Sequence, residues 1–185
     1  MTRKTSCCES SASSSASEAV LAYKFLHQGR VGIFSGFSWP VGEWVSVDGP
    51  LLPSRSGIHA CRLEHLPHWL DDELWVTELD GELIAEPRML VAKRGRLVER
   101  LDAWNAVTAG EFTRACLARD HAQPELSGDA AEWAEHPDGP VSAVYIVAHA
   151  AGVAAEKAGR PYEEGFSAER AWQADWLARR LGLNA

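Results

Sequence analysis

The sequence predicts an α+β fold, with a small, mostly antiparallel sheet over residues 20–104 packed against helices drawn from residues 108–183. Two observations point to it. In the first half, short apolar runs alternate with Gly, Pro and Asp-Gly punctuation, the pattern of strands joined by tight turns. From Thr108 onward the apolar residues recur at helical spacing instead. The 185 residues, 46% hydrophobic and 24% charged, supply enough apolar material for one core without help from disulfides.

Residues 1–18 are mostly Ser, Ala, Thr, Cys and Glu, too polar to offset their ordering entropy, and are expected to form a disordered tail ahead of a single domain over 19–185. Val20–Phe25 reads as a strand, His27–Arg30 as a turn and Val31–Phe34 as the returning strand. Val41–Val47 is extended and is broken by Asp48-Gly49-Pro50. Gly57–Cys61 is a further short strand. Leu66 to Leu70 suits the first turn of a helix with Pro67 near its start, and Leu66, Trp69 and Leu70 face the core. Leu74–Leu79 and Glu82–Ala85 are predicted to pair across a two-residue Asp80-Gly81 hairpin. Arg88–Lys93 follows as a strand, with Arg94-Gly95 a turn into Arg96–Leu101.

In the second half, Thr108–Arg119 is predicted helical with Thr108 as N-cap. Residues 123–140 are acidic and turn-rich, with a short helix around Ala130–Glu135. Val141–Lys157 is apolar nearly all round, which marks a helix buried on most faces. Its Ala148, Ala151, Gly152 and Ala155 form a stripe of small residues that lets a neighbour come close. Gly159-Arg160-Pro161 stops it, and a last helix runs from Glu163 to Leu181.

The net charge of −8 argues against general nucleic-acid or membrane-surface binding. No apolar run approaches the roughly 20 residues of a bilayer span, and the N-terminus lacks the apolar stretch of a signal peptide. The four cysteines contain no CxxC pair, which fits a reducing cytoplasm better than a disulfide framework or a zinc ribbon.

If the chain carries chemistry, it is expected around Ser56–Arg62 and the Leu63–Leu70 that follows, where three histidines, Cys61 and two arginines gather in sequence. His59 with Glu78 or Tyr23 offers an acid–base set. Arg62, Trp39, Trp44 and His149 are the candidate ligand contacts. The aromatics Phe34, Phe37, Trp39 and Trp44 either pack a small sheet or line a groove for a planar or sugar ligand. His149 lies amid apolar residues, as a hydrogen-bonded core histidine does. Cys61 is a nucleophile only if a base or cation lowers its pKa, and Arg62 points to the opposite side of the strand. His59, Cys61, His65 and His68 are metal-binding residue types, but their spacing matches no closed ligand set, so no metal is assigned. Arg88, Lys93, Arg94, Arg96 and Arg100 form either a solvated hairpin face or an acceptor for a phosphate or acidic segment.

A His, a Tyr and a Glu on a small sheet resemble the set in ADP-ribosyl-transferring folds, which implies a transferase. Tyr23-Lys24-Phe25-Leu26, Gly57-Ile58-His59-Ala60-Cys61-Arg62, Leu66-Pro67-x-Trp69-Leu70 and Tyr145-Ile146-x-x-His149-Ala150-Ala151-Gly152 are similar to a family of uncharacterised actinobacterial proteins. That resemblance covers about residues 20–183 and implies one domain without assigning a reaction. The expectation is a soluble cytoplasmic binding or accessory protein that meets a small molecule or a protein partner near His59. The alternative is a small transferase or hydrolase using His59 with Glu78 or Tyr23. Docking of a partner through the helix bearing Trp172 and Trp176 is a third reading. The sequence names no cofactor and no oligomeric state.

Overall fold

Strand β1 (Val20–Leu26) alternates its side chains, placing Ala22, Lys24 and Leu26 on one face and Tyr23 and Phe25 on the other. In the computed structural model, which describes residues 19–119, 121, 123–134 and 139–183, β1 pairs antiparallel along its whole length with β4 (Glu73–Glu86), from Val20↔Leu79 to Leu26↔Glu73. The Ser-rich segment 1–18 lies outside the described residues. β4 pairs with β5 (Met89–Arg100), which in turn pairs with β2 (Val45–Ser46) and β3 (Ile58–Ala60). The five strands form one antiparallel sheet in the N-terminal half, and the helices follow it, so the fold is α+β.

Beyond β3, the Tyr23 N–H donates to the Cys61 carbonyl and the Cys61 N–H to the Tyr23 carbonyl, both at 2.8 Å. This pair returns the chain to β1 and closes β1, β4, β5 and β3 into a ring. Side chains from all four strands (Ala22, Trp75, Leu79, Leu90 and Ile58 among them) meet in one buried cluster, which Trp39 joins. A second cluster, on the other face, packs Phe25, Cys61 and Leu74 against Leu66, Trp104, Phe112, Val144 and Leu177. Helices α1 (Ala106–Leu117), α3 (Gly139–Lys157) and α4 (Tyr162–Leu181) supply the last four of those except Trp104, which lies just ahead of α1.

Several elements differ from the sequence expectation. Asp80-Gly81 does not turn the chain: β4 runs on to Glu86, and the turn falls at Pro87-Arg88. The register slips between Asp80 and Leu83, with Gly81 at φ +79°, so the Asp-Gly pair serves a β-bulge. The left-handed conformation that makes Asp-Gly a hairpin signal serves the bulge equally. Gly95 likewise sits inside β5 without turning it. A Cβ there would lie 2.6 Å from Ile58 Cγ2, so the glycine is what lets β3 lie against β5. Val31 forms only single bridges, to His27 and Ser38, and within 41–47 only Val45–Ser46 is a strand.

The turn expected to begin an α-helix at Leu66 is a 3₁₀ helix, Leu63–His68, with Pro67 near its end. Thr108 is not an N-cap. Asn105 takes that place, its Oδ1 accepting from the N–H groups of Val107 (3.0 Å) and Thr108 (3.2 Å), and Thr108 is buried within α1. Helix α2 (Pro124–Ala134) begins earlier than the expected 130–135. α3 and α4 fall close to prediction, and their small-residue contact forms as the stripe implies. A Cβ on Gly165 would meet the Ala151 carbonyl oxygen at 2.2 Å, and the Tyr162 ring lies flush against Gly152. Among the described residues, no helix is long and apolar enough to cross a membrane.

Candidate ligand-binding cavity

Between β1, β3 and the segment 32–47 lies a cavity of about 790 Å3. Tyr23 and Lys24 from β1, His59 from β3, Cys61 just after it, Trp39, and Trp69 beyond the 3₁₀ helix all line it. Phe34 and Phe37 line it as well, Phe37 edge-on to Trp39 with ring centroids 5.5 Å apart. Phe34 is 88% exposed, an aromatic side chain left in solvent beside a cavity. Trp39 is buried, and its indole forms a wall.

Lys24 is the residue that sequence reasoning left out of the site. Its position inside an otherwise apolar inward face (Ala22, Lys24, Leu26) was the available signal. The ammonium donates to the His59 carbonyl at 2.6 Å and lies 5.0 Å from the Trp39 ring centroid. Among the described residues no carboxylate pairs with it. Burial lowers its pKa to about 8, so it is still mostly a cation at neutral pH.

His59 is held in place rather than left free. Its Nε2 accepts the Ser54 N–H at 3.0 Å, which puts the ring proton on Nδ1. Burial, with the Lys24 charge, moves its pKa below the ordinary histidine value. The imidazole is therefore neutral at pH 7 and acts as the brace of the 51–57 loop. Tyr23 shares the cavity, its hydroxyl pushed up by burial. Burial also drives the Cys61 thiol up to about 12, so it stays protonated and is no nucleophile at neutral pH.

The other candidates lie elsewhere. Glu78 pairs across the strands with Arg96, Oε2 to guanidinium at 2.6 Å, and does not line the cavity. The His–Tyr–Glu set of an ADP-ribosyl-transferring site is thus not brought together. Trp44 packs under Arg94 and Arg96, whose guanidinium carbons lie 4.8 and 4.9 Å from its ring centroid. Arg94 also bonds Asp80, Arg100 pairs with Glu73 and Asp102, and the Lys93 amine donates to the Gly49 carbonyl. Most of the basic run is engaged within the fold. Arg62 is exposed, outside the cavity lining. His149 bonds the Tyr162 hydroxyl at 2.9 Å in the α3–α4 hairpin, as a core histidine does.

The His59–His68 group does not converge into a metal-ligand set among the described residues. His65 and His68 are neighbours on the 3₁₀ helix, ring centroids 6.4 Å apart. The donor atoms that do come within 4.8 Å of one another belong to His27, Asp71 and Asp72, at the rim of a second cavity of about 570 Å3. They are already occupied: His27 Nδ1 is 2.9 Å from Asp71 Oδ1, and Asp72 Oδ2 accepts the Gln28 N–H. No protein-family model, curated protein or solved structure matches the chain.

Proposed function

We propose that this protein is a cytoplasmic small-molecule-binding module, and that its ligand is a flat, largely apolar molecule bearing an acidic group. The observation that carries this reading is Lys24, a cation with no carboxylate partner among the described residues, set into an aromatic-walled cavity. Lys24 is half-buried; a partly desolvated charge without a counter-charge is costly, and an anionic ligand group reduces that cost. A volume of about 790 Å3 falls within the roughly 300–1,000 Å3 of ligand pockets, which are mostly apolar with a few placed polar groups. Trp39 and Phe37 offer faces for stacking, and the exposed Phe34 ring becomes covered when a ligand is seated. Two free, buried thiols, Cys61 and Cys116, suit a reducing compartment. The actinobacterial resemblance of the GIHACR segment is compatible with such a module and adds no chemistry.

The transferase or hydrolase reading is less favoured. His59 Nε2 accepts the Ser54 N–H of the 51–57 loop, and Glu78 is committed to Arg96. The test is a thermal-shift series of the full chain against planar aromatic carboxylic acids and their uncharged amides. A ligand at 100 times its Kd adds about 2.7 kcal/mol of stability. The acids are expected to raise the unfolding midpoint more than the amides, and Lys24→Met to abolish that preference. Equal responses from acids and amides in the unaltered protein would remove Lys24 from the binding reading.

A further inference from the structure

The cavity against β1 holds a primary amine whose surroundings suit a reaction as well as an ion pair. Among the described lining residues Lys24 is the only lysine, and there is no Asp or Glu. The titratable groups that share the lining are Tyr23, Arg55, His59 and Cys61. Burial keeps Tyr23 and Cys61 protonated and His59 neutral, and Arg55 is an exposed cation on the loop side. None of these is an anion that would hold the Lys24 nitrogen as an ammonium. Among the described residues its hydrogen bond runs to the His59 carbonyl at 2.6 Å, with the Trp39 ring centroid at 5.0 Å. A carbonyl oxygen only accepts, so ammonium and neutral amine keep this bond alike, and the neutral amine that donates to it has its lone pair free. Burial brings the amine from 10.5 to about 8, so about one in ten is neutral at pH 7, against about one in three thousand for an ordinary lysine. A lysine desolvated in an apolar pocket is the form that attacks a carbonyl carbon.

We propose that Lys24 forms an iminium with the keto carbon of a planar aromatic 2-oxo acid seated in this cavity, an inference that rests on the ligand-binding reading of the cavity and names its ligand class. In the step, the Nζ lone pair bonds the keto carbon and the C=O π pair moves to oxygen. A proton passes from nitrogen to that oxygen, giving a carbinolamine. The nitrogen lone pair then expels the hydroxyl, which takes one proton from solvent and leaves as water. In sum, one ammonium and one ketone give one iminium and one water, with no change of oxidation state. The geometry favours a 2-oxo acid over a simple ketone. The iminium retains one N–H, which can keep the bond to the His59 carbonyl, and its charge stays beside the Trp39 ring. The carboxylate, attached directly to the keto carbon, lies next to the iminium nitrogen. A single nitrogen thus gains both the covalent bond and a counter-charge that the described lining does not supply.

The experiment treats the full chain with phenylpyruvate and sodium cyanoborohydride, which reduces an iminium to a stable secondary amine, and maps the labelled peptides by mass spectrometry. Lys4, Lys93 and Lys157 are the chain's other lysines and serve as references. Lys93 donates to the Gly49 carbonyl and Lys157 to the Gln123 side chain. At pH 7 Lys24 is expected to be labelled at least about tenfold faster than any of the three, as its larger neutral fraction requires. 3-Phenylpropionic acid, which has the same shape without the keto group, is expected to slow that labelling by competition. Labelling at Lys24 that 3-phenylpropionic acid leaves unchanged would place the reaction outside the cavity and overturn the inference. Equal labelling of the four lysines, with an unfolding midpoint still raised by 3-phenylpropionic acid, would overturn the iminium and leave ion-pair binding standing. Equal labelling with no midpoint shift from either acid would overturn both.

Discussion

Lys24 makes the stability of the cavity depend on pH above neutrality. Burial disfavours its ammonium, so the folded chain gives up that proton at about 8, against an ordinary value of 10.5. Between those values the unfolded chain binds more protons than the folded one, and this group's contribution to stability rises with pH. Below pH 8 both states are protonated and the full penalty stands. Lys24→Met is therefore expected to be more stable than the unaltered protein at pH 7, with the advantage shrinking as pH rises towards 10.5. Denaturant unfolding across that range reads it directly, and a pH-independent difference would refute the assignment. Thr77 is a second case at this scale: its Oγ1 is buried with no partner among the described residues, so Thr77→Val is expected to stabilise by about 1 kcal/mol. His59 was expected as an acid–base residue, and its bond from the Ser54 N–H escaped the sequence because the loop conformation that aims that N–H at the ring leaves no local pattern. Glu78 was misread because its partner, Arg96, is set by a strand register that no local pattern encodes.

At the scale of elements, the sequence told strand from helix well and told turns poorly. Alternation and helical spacing are properties of each segment alone, so β1, α3 and α4 were found close to their observed bounds. Asp80-Gly81 and Arg94-Gly95 were misplaced because a glycine answers a demand made by its surroundings. Gly81 supplies the positive φ of a bulge, and Gly95 makes room for Ile58. The α3–α4 contact was legible as a stripe of small residues, and it yields a sharp prediction. A Cβ at Gly165 would stand 2.2 Å from a backbone oxygen of α3, which cannot move aside as a side chain end does. Gly165→Ala is expected to cost about 2–3 kcal/mol, at the upper end of overpacking substitutions. A loss below about 0.5 kcal/mol in chemical unfolding, the range of neutral surface changes, would mean that the two helices do not pack this closely.

For the whole molecule, the arrangement explains why the cavity sits where it does. The sheet uses both faces: one builds the cluster shared by β1, β3, β4 and β5, and the other takes the helices. The segment between β1 and β2 has little regular structure of its own, and it brings Phe34, Phe37 and Trp39 over the edge where β3 returns to β1. That ring closure depends on a single bridge, Tyr23↔Cys61, between residues far apart in sequence, so no periodicity could reveal it. The most direct test of the account is chemical-shift mapping of the 15N-labelled full chain with planar aromatic carboxylic acids. The account predicts that the largest shifts fall on Tyr23, Lys24, Gly32 to Trp39 and Ser54 to His59, including the Trp39 indole N–H, and that Lys24→Met suppresses them. Acids that leave those signals in place, or shift only residues outside the cavity, would contradict the Lys24 cavity as the ligand site.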